Sequence, residues 1–307
     1  MIFTFSEDAE TAFEILAKGR EIADSLRLEL AAISIERPSK EETYIAYGAD
    51  KVYSIDSEPQ ADRVVECISS LINQHKPGIL LIGGTRMGKE IAPRIAQRLG
   101  VGCVTDCIDF SLDREQMIVK RFVLGGRFIA TQRFLREPRI VNVPPRKFEK
   151  KFDKDRNGEI IKTSLPPVEP KVQVLEIKGK TPQELRIEEA DIIVSVGRGL
   201  KKKEDLALIE SLAKALGGIL GCSRSIAADL KWLPEDHWVG LSGHKVKPKL
   251  YIAVGISGQV QHIAGIRDSK TIIAINNDPN APIFKACDYG IVGDLYEIVP
   301  KLIEIMK

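Results

Sequence analysis

Apolar residues recur along this chain in two rhythms. At helical spacing they mark Thr11 to Leu26, Ala61 to Gln74, Lys89 to Leu99, Asp205 to Leu216 and Leu295 to Met306. Val64, Val65, Ile68, Leu71 and Ile72 fall on one stripe of the second segment, and Leu206, Ile209, Leu212 and Leu216 on one stripe of the fourth. Gly100 closes the third. Short unbroken apolar runs predict buried strands at Leu28–Ile35, Ile79–Ile82, Asp191–Val196, from Ile219, at Lys249–Val254, at Thr271–Ile275 and at Tyr289–Val292. Strands that alternate with helices predict an α/β fold, with mostly parallel sheets flanked by helices.

Two stretches break the alternation. Residues 117–143 begin MIVKRFVLGGRFIATQRF, and Gly125 and Gly126 between β-rich runs predict a strand–turn–strand unit. Residues 144–170 hold PPRKFEKKFDKDRNGE and SLPPVEP, with no long apolar run, and predict a solvated connector followed by one strand at Val172–Ile177. A boundary near Lys178–Pro182 then divides the chain into an N-terminal α/β domain, 1–180, and a C-terminal one, 181–307.

Composition narrows the function classes. The 307 residues carry 45 Lys and Arg against 43 Asp and Glu, a net charge of +2, and acidic residues interleave the basic ones even in the connector. A dedicated nucleic-acid binder shows a basic excess, so no nucleic acid is expected. No apolar run reaches the roughly 18–20 residues of a membrane span, and the N-terminus shows no signal-peptide pattern, so a cytoplasmic, non-spanning protein is expected. The five cysteines are scattered in apolar context, which predicts reduced thiols. Cys103 and Cys107 are four apart without a nearby histidine, so no metal is expected.

Three glycine-bearing turns follow predicted strands. GGTRMGK, Gly83 to Lys89, has the glycine and lysine spacing of a phosphate loop, but Glu90 stands where magnesium needs a hydroxyl, so a tight strand-to-helix turn is expected there. Gly197, Arg198 and Gly199 form half a dinucleotide fingerprint, with Lys202 at the third glycine's place. The third turn lies in LYIAVGISGQVQHIAG, Leu250 to Gly265: a buried strand, a turn with Gly255 and Gly258, then a short helix. Ser257 and the amides around Gly258 would face a ligand crevice and suit an anion, with Gln261 and His262 on the first helical turns.

This run resembles the signature of electron transfer flavoprotein α subunits. VGRGL from Val196, CSRS from Cys222, VGLSG from Val239, NNDPNAP from Asn276 and DYGIVGD from Asp288 extend the resemblance over the second half, while 85–100 and 125–131 match more loosely. The resemblance implies one FAD in a doubly wound C-terminal domain. It also implies a heterodimer with a β subunit, flavoprotein dehydrogenases as donors, and an acceptor such as a membrane quinone oxidoreductase. The chain would be an electron carrier, with no catalytic acid–base dyad or nucleophile, and the first domain a scaffold against the β subunit.

Carried over by motif, the FAD contacts are Arg198, Ser223, Arg224, Val239, Gly240, Leu241, Ser242, Gly255, Ser257, Gly258, Gln259, Val260, Gln261, His262, Asn276, Asp294 and Leu295. Arg224 would lie against the flavin, Ser242 at its N5 and His262 near its pyrimidine carbonyl. The Gly255–Gln261 turn would hold the ribityl and pyrophosphate, and Asn276 and Asp294 the adenosine end. A guanidinium or imidazolium beside the reduced flavin's negative edge would stabilise it and raise the potential. The family commonly has Gln before this turn's hydroxyl residue, where Leu241 stands here, which changes the tuning of the potential. Two other readings stay open: an electron-bifurcating complex with a second flavin in the β subunit, and a nucleotide-binding regulatory module that takes AMP or ADP without redox activity.

Overall fold

The computed structural model describes residues 1–35, 41–56, 60–113, 116–164, 172, 175 and 187–306. The chain divides into two units, Met1–Ile177 and Lys178–Lys307.

The first unit runs β1 (Ile2–Phe5), α1 (Ala9–Leu26), β2 (Leu30–Ile35), α2 (Glu41–Ala46), β3 (Lys51–Ile55), α3 (Ala61–His75), β4 (Ile79–Gly83) and α4 (Arg86–Leu99). Then follow β5 (Cys103–Val104), β6 (Cys107–Asp113), β7 (Gln116–Val123), β8 (Phe128–Arg133), β9 (Arg139–Val143) and β10 (Glu159–Lys162). A parallel sheet in the order β10-β3-β2-β1-β4-β9-β5 carries α1 against one core, with Ile15 and Leu16, and α3 and α4 against the other, with Ile68 and Ile91. Its central strands β1, β2 and β4 are buried on both faces, which is why they read as unbroken apolar runs. Each fully buried Ile or Leu contributes about 1.5–3 kcal/mol.

The structure corrects the sequence reading at three places. Helix α4 begins at Arg86 rather than Lys89, because the Thr85 hydroxyl accepts from the Gly88 amide (2.9 Å) and caps it three residues earlier. The hairpin around Gly126 forms, with β7 and β8 antiparallel, but Arg139–Val143 leaves it and pairs in parallel with β4, while β6 joins as a third strand. The solvated connector contains a strand, since Glu159–Lys162 pairs with β3 at the sheet edge. Apart from Val172 and Leu175, the expected strand at Val172–Ile177 and the expected boundary lie outside the described residues.

The second unit contains β11 (Ile192–Val196), α5 (Leu206–Ala215), β12 (Ile219–Cys222), β13 (Leu250–Val254), α6 (Val260–Ile266), β14 (Thr271–Asn276), β15 (Tyr289–Val292) and α7 (Leu295–Ile305). All five strands are parallel, in the order β12-β11-β13-β14-β15. Alternation along β11 sends Val194 and Val196 to a core with Ile209 and Val299, and Ile193 to a core with Tyr251 and Ile266. The chain leaves β11 for β12 on one side and returns to β13 on the other. The crevice at the carboxyl ends of β11 and β13 is therefore a topological switch point, where open α/β sheets bind ligands. Among the described residues no helix is long and apolar enough to cross a membrane.

Candidate functional site

The loops after β11 and β13 are joined backbone to backbone. The Gly197 amide donates to the Val254 carbonyl (2.9 Å) and the Gly199 amide to the Gly255 carbonyl (3.0 Å). A Cβ at Gly197 would sit 2.4 Å from the Gly255 oxygen, and one at Gly199 would sit 2.7 Å from the Gly255 Cα. Only glycine allows this approach, and it leaves Arg198 exposed between the two.

The remaining loops are tied to this pair by successive hydrogen bonds. The Ser223 amide donates to the Val196 carbonyl and the Val239 amide to the Cys222 carbonyl (2.9 Å each), which brings the excursion 239–244 alongside β12. The Leu241 amide donates to the Gln261 carbonyl (2.7 Å), which locks the 239–242 turn onto α6. On the far side, the Ile283 amide donates to the Ser257 carbonyl (3.1 Å) and the Asn276 Nδ2 to the Ile256 carbonyl (2.9 Å). Gly258 has φ +81°, and a Cβ there would lie 2.3 Å from the Ile283 nitrogen. These bonds bring the sequence-predicted residues of five loops, those after β11, β12, β13 and β14 and the 239–242 turn, to one edge.

Their side chains differ in availability. Arg198, Arg224, Leu241, Ser242, Ser257, Gln259, Val260, Gln261 and Asp294 are exposed, while Val239, Gly240, Gly258, His262 and Leu295 are buried. Arg224 lies over the Trp238 ring at 5.9 Å, which fixes the guanidinium beside the 239–242 turn. Ser223 Oγ is 2.9 Å from Ser225 Oγ, at the start of a single π-helical turn, Ser225–Asp229. Asn276 is engaged at both ends of its amide, since Oδ1 accepts from the Asp278 amide (3.0 Å). Asp294 caps α7 through Oδ1, which accepts from the Tyr296 amide (2.9 Å). Leu295 packs in the core, 3.2 Å from the Cβ position of Gly255.

His262 is only 7% exposed, and its Nε2 lies 3.0 Å from the Tyr251 hydroxyl. Burial pushes its pKa down to about 4, partly opposed by the Val239 backbone. It is therefore a neutral imidazole, so the positive charge at this edge comes from Arg198 and Arg224. His244 pairs with Glu188 through Nδ1. Half-buried, His237 Nδ1 lies 2.6 Å from the Leu220 carbonyl, and His75, also half-buried, packs against Phe3 and Tyr53. Sequence reasoning missed Tyr296, whose hydroxyl accepts from the Lys201 amide (2.8 Å) and donates to Asp205 (2.5 Å), pinning the loop after β11. No local pattern announces such contacts, because they join residues about ninety positions apart.

The first unit has its own switch point, between β1 and β4. There the GGTRMGK turn is closed on itself. The Gly84 amide donates to the Val143 carbonyl (2.5 Å), the Gly88 amide is taken by Thr85, and Lys89 pairs with Asp106 (2.9 Å). A Cβ at Gly88 would fall 1.8 Å from the Gly83 oxygen, so the glycine serves chain packing.

Comparison with known proteins adds an independent line. A family model described as the electron transfer flavoprotein FAD-binding domain matches residues 186–267, and one described as the electron transfer flavoprotein domain matches residues 6–168. Over 96% of this chain and 93% of the relative, the sequence is 39% identical to an electron transfer flavoprotein subunit alpha of Thermoanaerobacterium thermosaccharolyticum. The chain belongs to the electron transfer flavoprotein α-subunit family. Proteins of the same name from Bacillus subtilis and Megasphaera elsdenii are 37% and 36% identical, over 96% and 97% of this chain and 92% of each relative. The match to the family's FAD-binding domain covers the switch point of the second unit from β11 through α6.

The residues present fit an FAD of this family. His262 Nδ1 is buried without a hydrogen bond of ordinary geometry. Among the described residues, no backbone carbonyl accepts from the amides of Ser257, Gly258 and Gln259, which suit a pyrophosphate.

Proposed function

We propose that this chain carries electrons on one FAD held at the carboxyl edge of the second unit's sheet, as a heterodimer with a β subunit. Flavoprotein dehydrogenases would supply the electrons and an acceptor oxidoreductase would take them. The observation that carries the reading is the convergence of five loops on the β11–β13 switch point, with amides that have no backbone acceptor among the described residues at one end and a stacked guanidinium at the other. A relative 35% identical over 100% of this chain is named the acryloyl-CoA reductase electron transfer subunit beta of Anaerotignum propionicum, which supports partners that act on CoA esters. The five free thiols fit a reducing cytoplasm.

FAD, when bound, supplies reversible electron uptake, and the chain binds and tunes it. The turn from Gly255 through Ser257, Gly258, Gln259, Val260 and Gln261 would hold the ribityl and pyrophosphate. Arg198, Asn276, Asp294 and Leu295 would frame the adenosine side, Asn276 and Leu295 through their backbone. Ser223, Arg224, Val239, Gly240, Leu241 and Ser242 would form the wall beside the ring, with His262 near its pyrimidine carbonyl. The Arg224 charge would favour the anionic reduced ring, and the Ser242 hydroxyl would meet N5.

The test is gentle co-purification with the β subunit in FAD-supplemented buffer. A yellow complex with a flavin spectrum is expected, and a colourless complex would overturn the reading. Counting flavins separates plain transfer, with one per heterodimer, from bifurcation, with two.

A further inference from the structure

Strand β13 carries a buried hydroxyl that ends on the histidine of the candidate site. Tyr251 is fully buried, and its Oη lies 3.0 Å from His262 Nε2, with the rings tilted by 56°. Ser195, on the neighbouring strand β11, is fully buried too, and its hydroxyl is placed to favour a charged Tyr251. Burial nevertheless holds both ring groups neutral, raising the Tyr251 hydroxyl far above its ordinary range and lowering His262 to about 4.

Two neutral rings leave two ways to make this bond. The imidazole could donate from Nε2, which would leave a bare Nδ1 lone pair toward the Val239 backbone. Val239's own amide is already bonded to Cys222, so what it offers is a carbonyl acceptor, and two acceptors would face each other. Alternatively the phenol donates to Nε2, and the imidazole proton sits on Nδ1. Only this second arrangement gives both imidazole nitrogens a complementary neighbour.

We propose that Tyr251 is a positioning residue that locks His262 as the Nδ1–H tautomer and so turns a single hydrogen-bond donor toward the 239–242 turn. This rests on the FAD reading for its purpose, because that turn is where the flavin's pyrimidine edge would lie. His262 then holds the Val239 end of that turn with a neutral donor, and the tautomer is set from within the core before the cofactor arrives.

The decisive experiment is nitrogen-15 NMR of the histidine side chains in the full-length, flavin-free chain at neutral pH, with His262→Gln identifying the His262 signals. The wild type is expected to show a protonated Nδ1 and a bare Nε2. Tyr251→Phe keeps the ring and removes the hydroxyl, and is expected to lower the Nδ1–H to Nε2–H ratio at least threefold. Ser195→Ala should leave the tautomer unchanged. A wild-type Nε2–H tautomer, or a ratio unmoved by Tyr251→Phe, would overturn the proposal. If Tyr251→Phe fails to fold, the wild-type tautomer still decides. In the FAD-loaded complex, Tyr251→Phe should weaken FAD affinity about fivefold. A wild type that shows the Nδ1–H tautomer but takes up no FAD would sink the cofactor reading and leave the tautomer assignment standing.

Discussion

Arg224 illustrates how a single side chain in this unit is prepared for its task. Its guanidinium rests over Trp238, whose backbone is bonded into the 238–244 excursion, so the charge is held in place with no carboxylate partner among the described residues. A charge-assisted contact to a reduced flavin is worth on the order of 1.5 kcal/mol, equivalent to roughly 60 mV for a one-electron couple. Arg224→Ala should therefore lower the flavin potential by that order in a potentiometric titration of the complex. An unchanged potential would show that the guanidinium does not act on the ring. His262 makes a different prediction. Its folded pKa of about 4 lies below the ordinary value of 6.5, so between these values the unfolded chain binds a proton that the folded chain refuses. Stability from this group is complete above about pH 6.5 and falls as pH drops toward 4, by roughly 3 kcal/mol. Denaturant unfolding of the flavin-free chain at pH 7 and pH 4.5 should show a larger acid loss for wild type than for His262→Gln. Equal losses would contradict the buried neutral imidazole.

At the scale of elements, the site depends on glycine turns that let one loop's backbone lie on another's. Gly258 combines φ +81° with a backbone nitrogen 2.3 Å from where a Cβ would stand. Gly258→Ala should cost about 2–3 kcal/mol in thermal unfolding and abolish most FAD uptake, since the 257–261 turn and the 283 segment must separate. Full FAD content in that variant would show that the turn is not the cradle. Such turns were legible in the sequence because glycines after apolar strands have few other uses, and the loops after β11 and β13 were found this way. Less legible were elements whose signal is weak in isolation. Strand β10 has only two apolar residues within a charged stretch, and pairs because β3 offers it an open edge. Strand β9 follows the hairpin closely and is parallel to β4, a pairing fixed by tertiary packing. Tyr251 read as one more core residue of β13, and only the folded chain shows its hydroxyl on His262.

Across the whole molecule, two units of similar parallel architecture differ in what fills their switch points. The first closes its turn with Thr85, Val143 and the Lys89–Asp106 pair. That pair is half-exposed on both sides and contributes at most about 1 kcal/mol. Lys89→Ala should accordingly leave the flavin-to-protein ratio unchanged in the purified complex, and a drop by half or more would assign the first unit a role in holding the cofactor. In the second unit the amides of Ser257, Gly258 and Gln259 have no backbone acceptor among the described residues, a difference the sequence carried only as Glu90 in one loop and the GISGQVQH run in the other. What decides most sharply is the FAD stoichiometry of the co-purified complex, compared between wild type and Gly258→Ala. One FAD bound by the second unit of the wild-type chain is expected, and almost none in the variant. A wild-type complex that takes up no FAD, or a variant that retains it fully, would show that the β11–β13 switch point does not hold the cofactor.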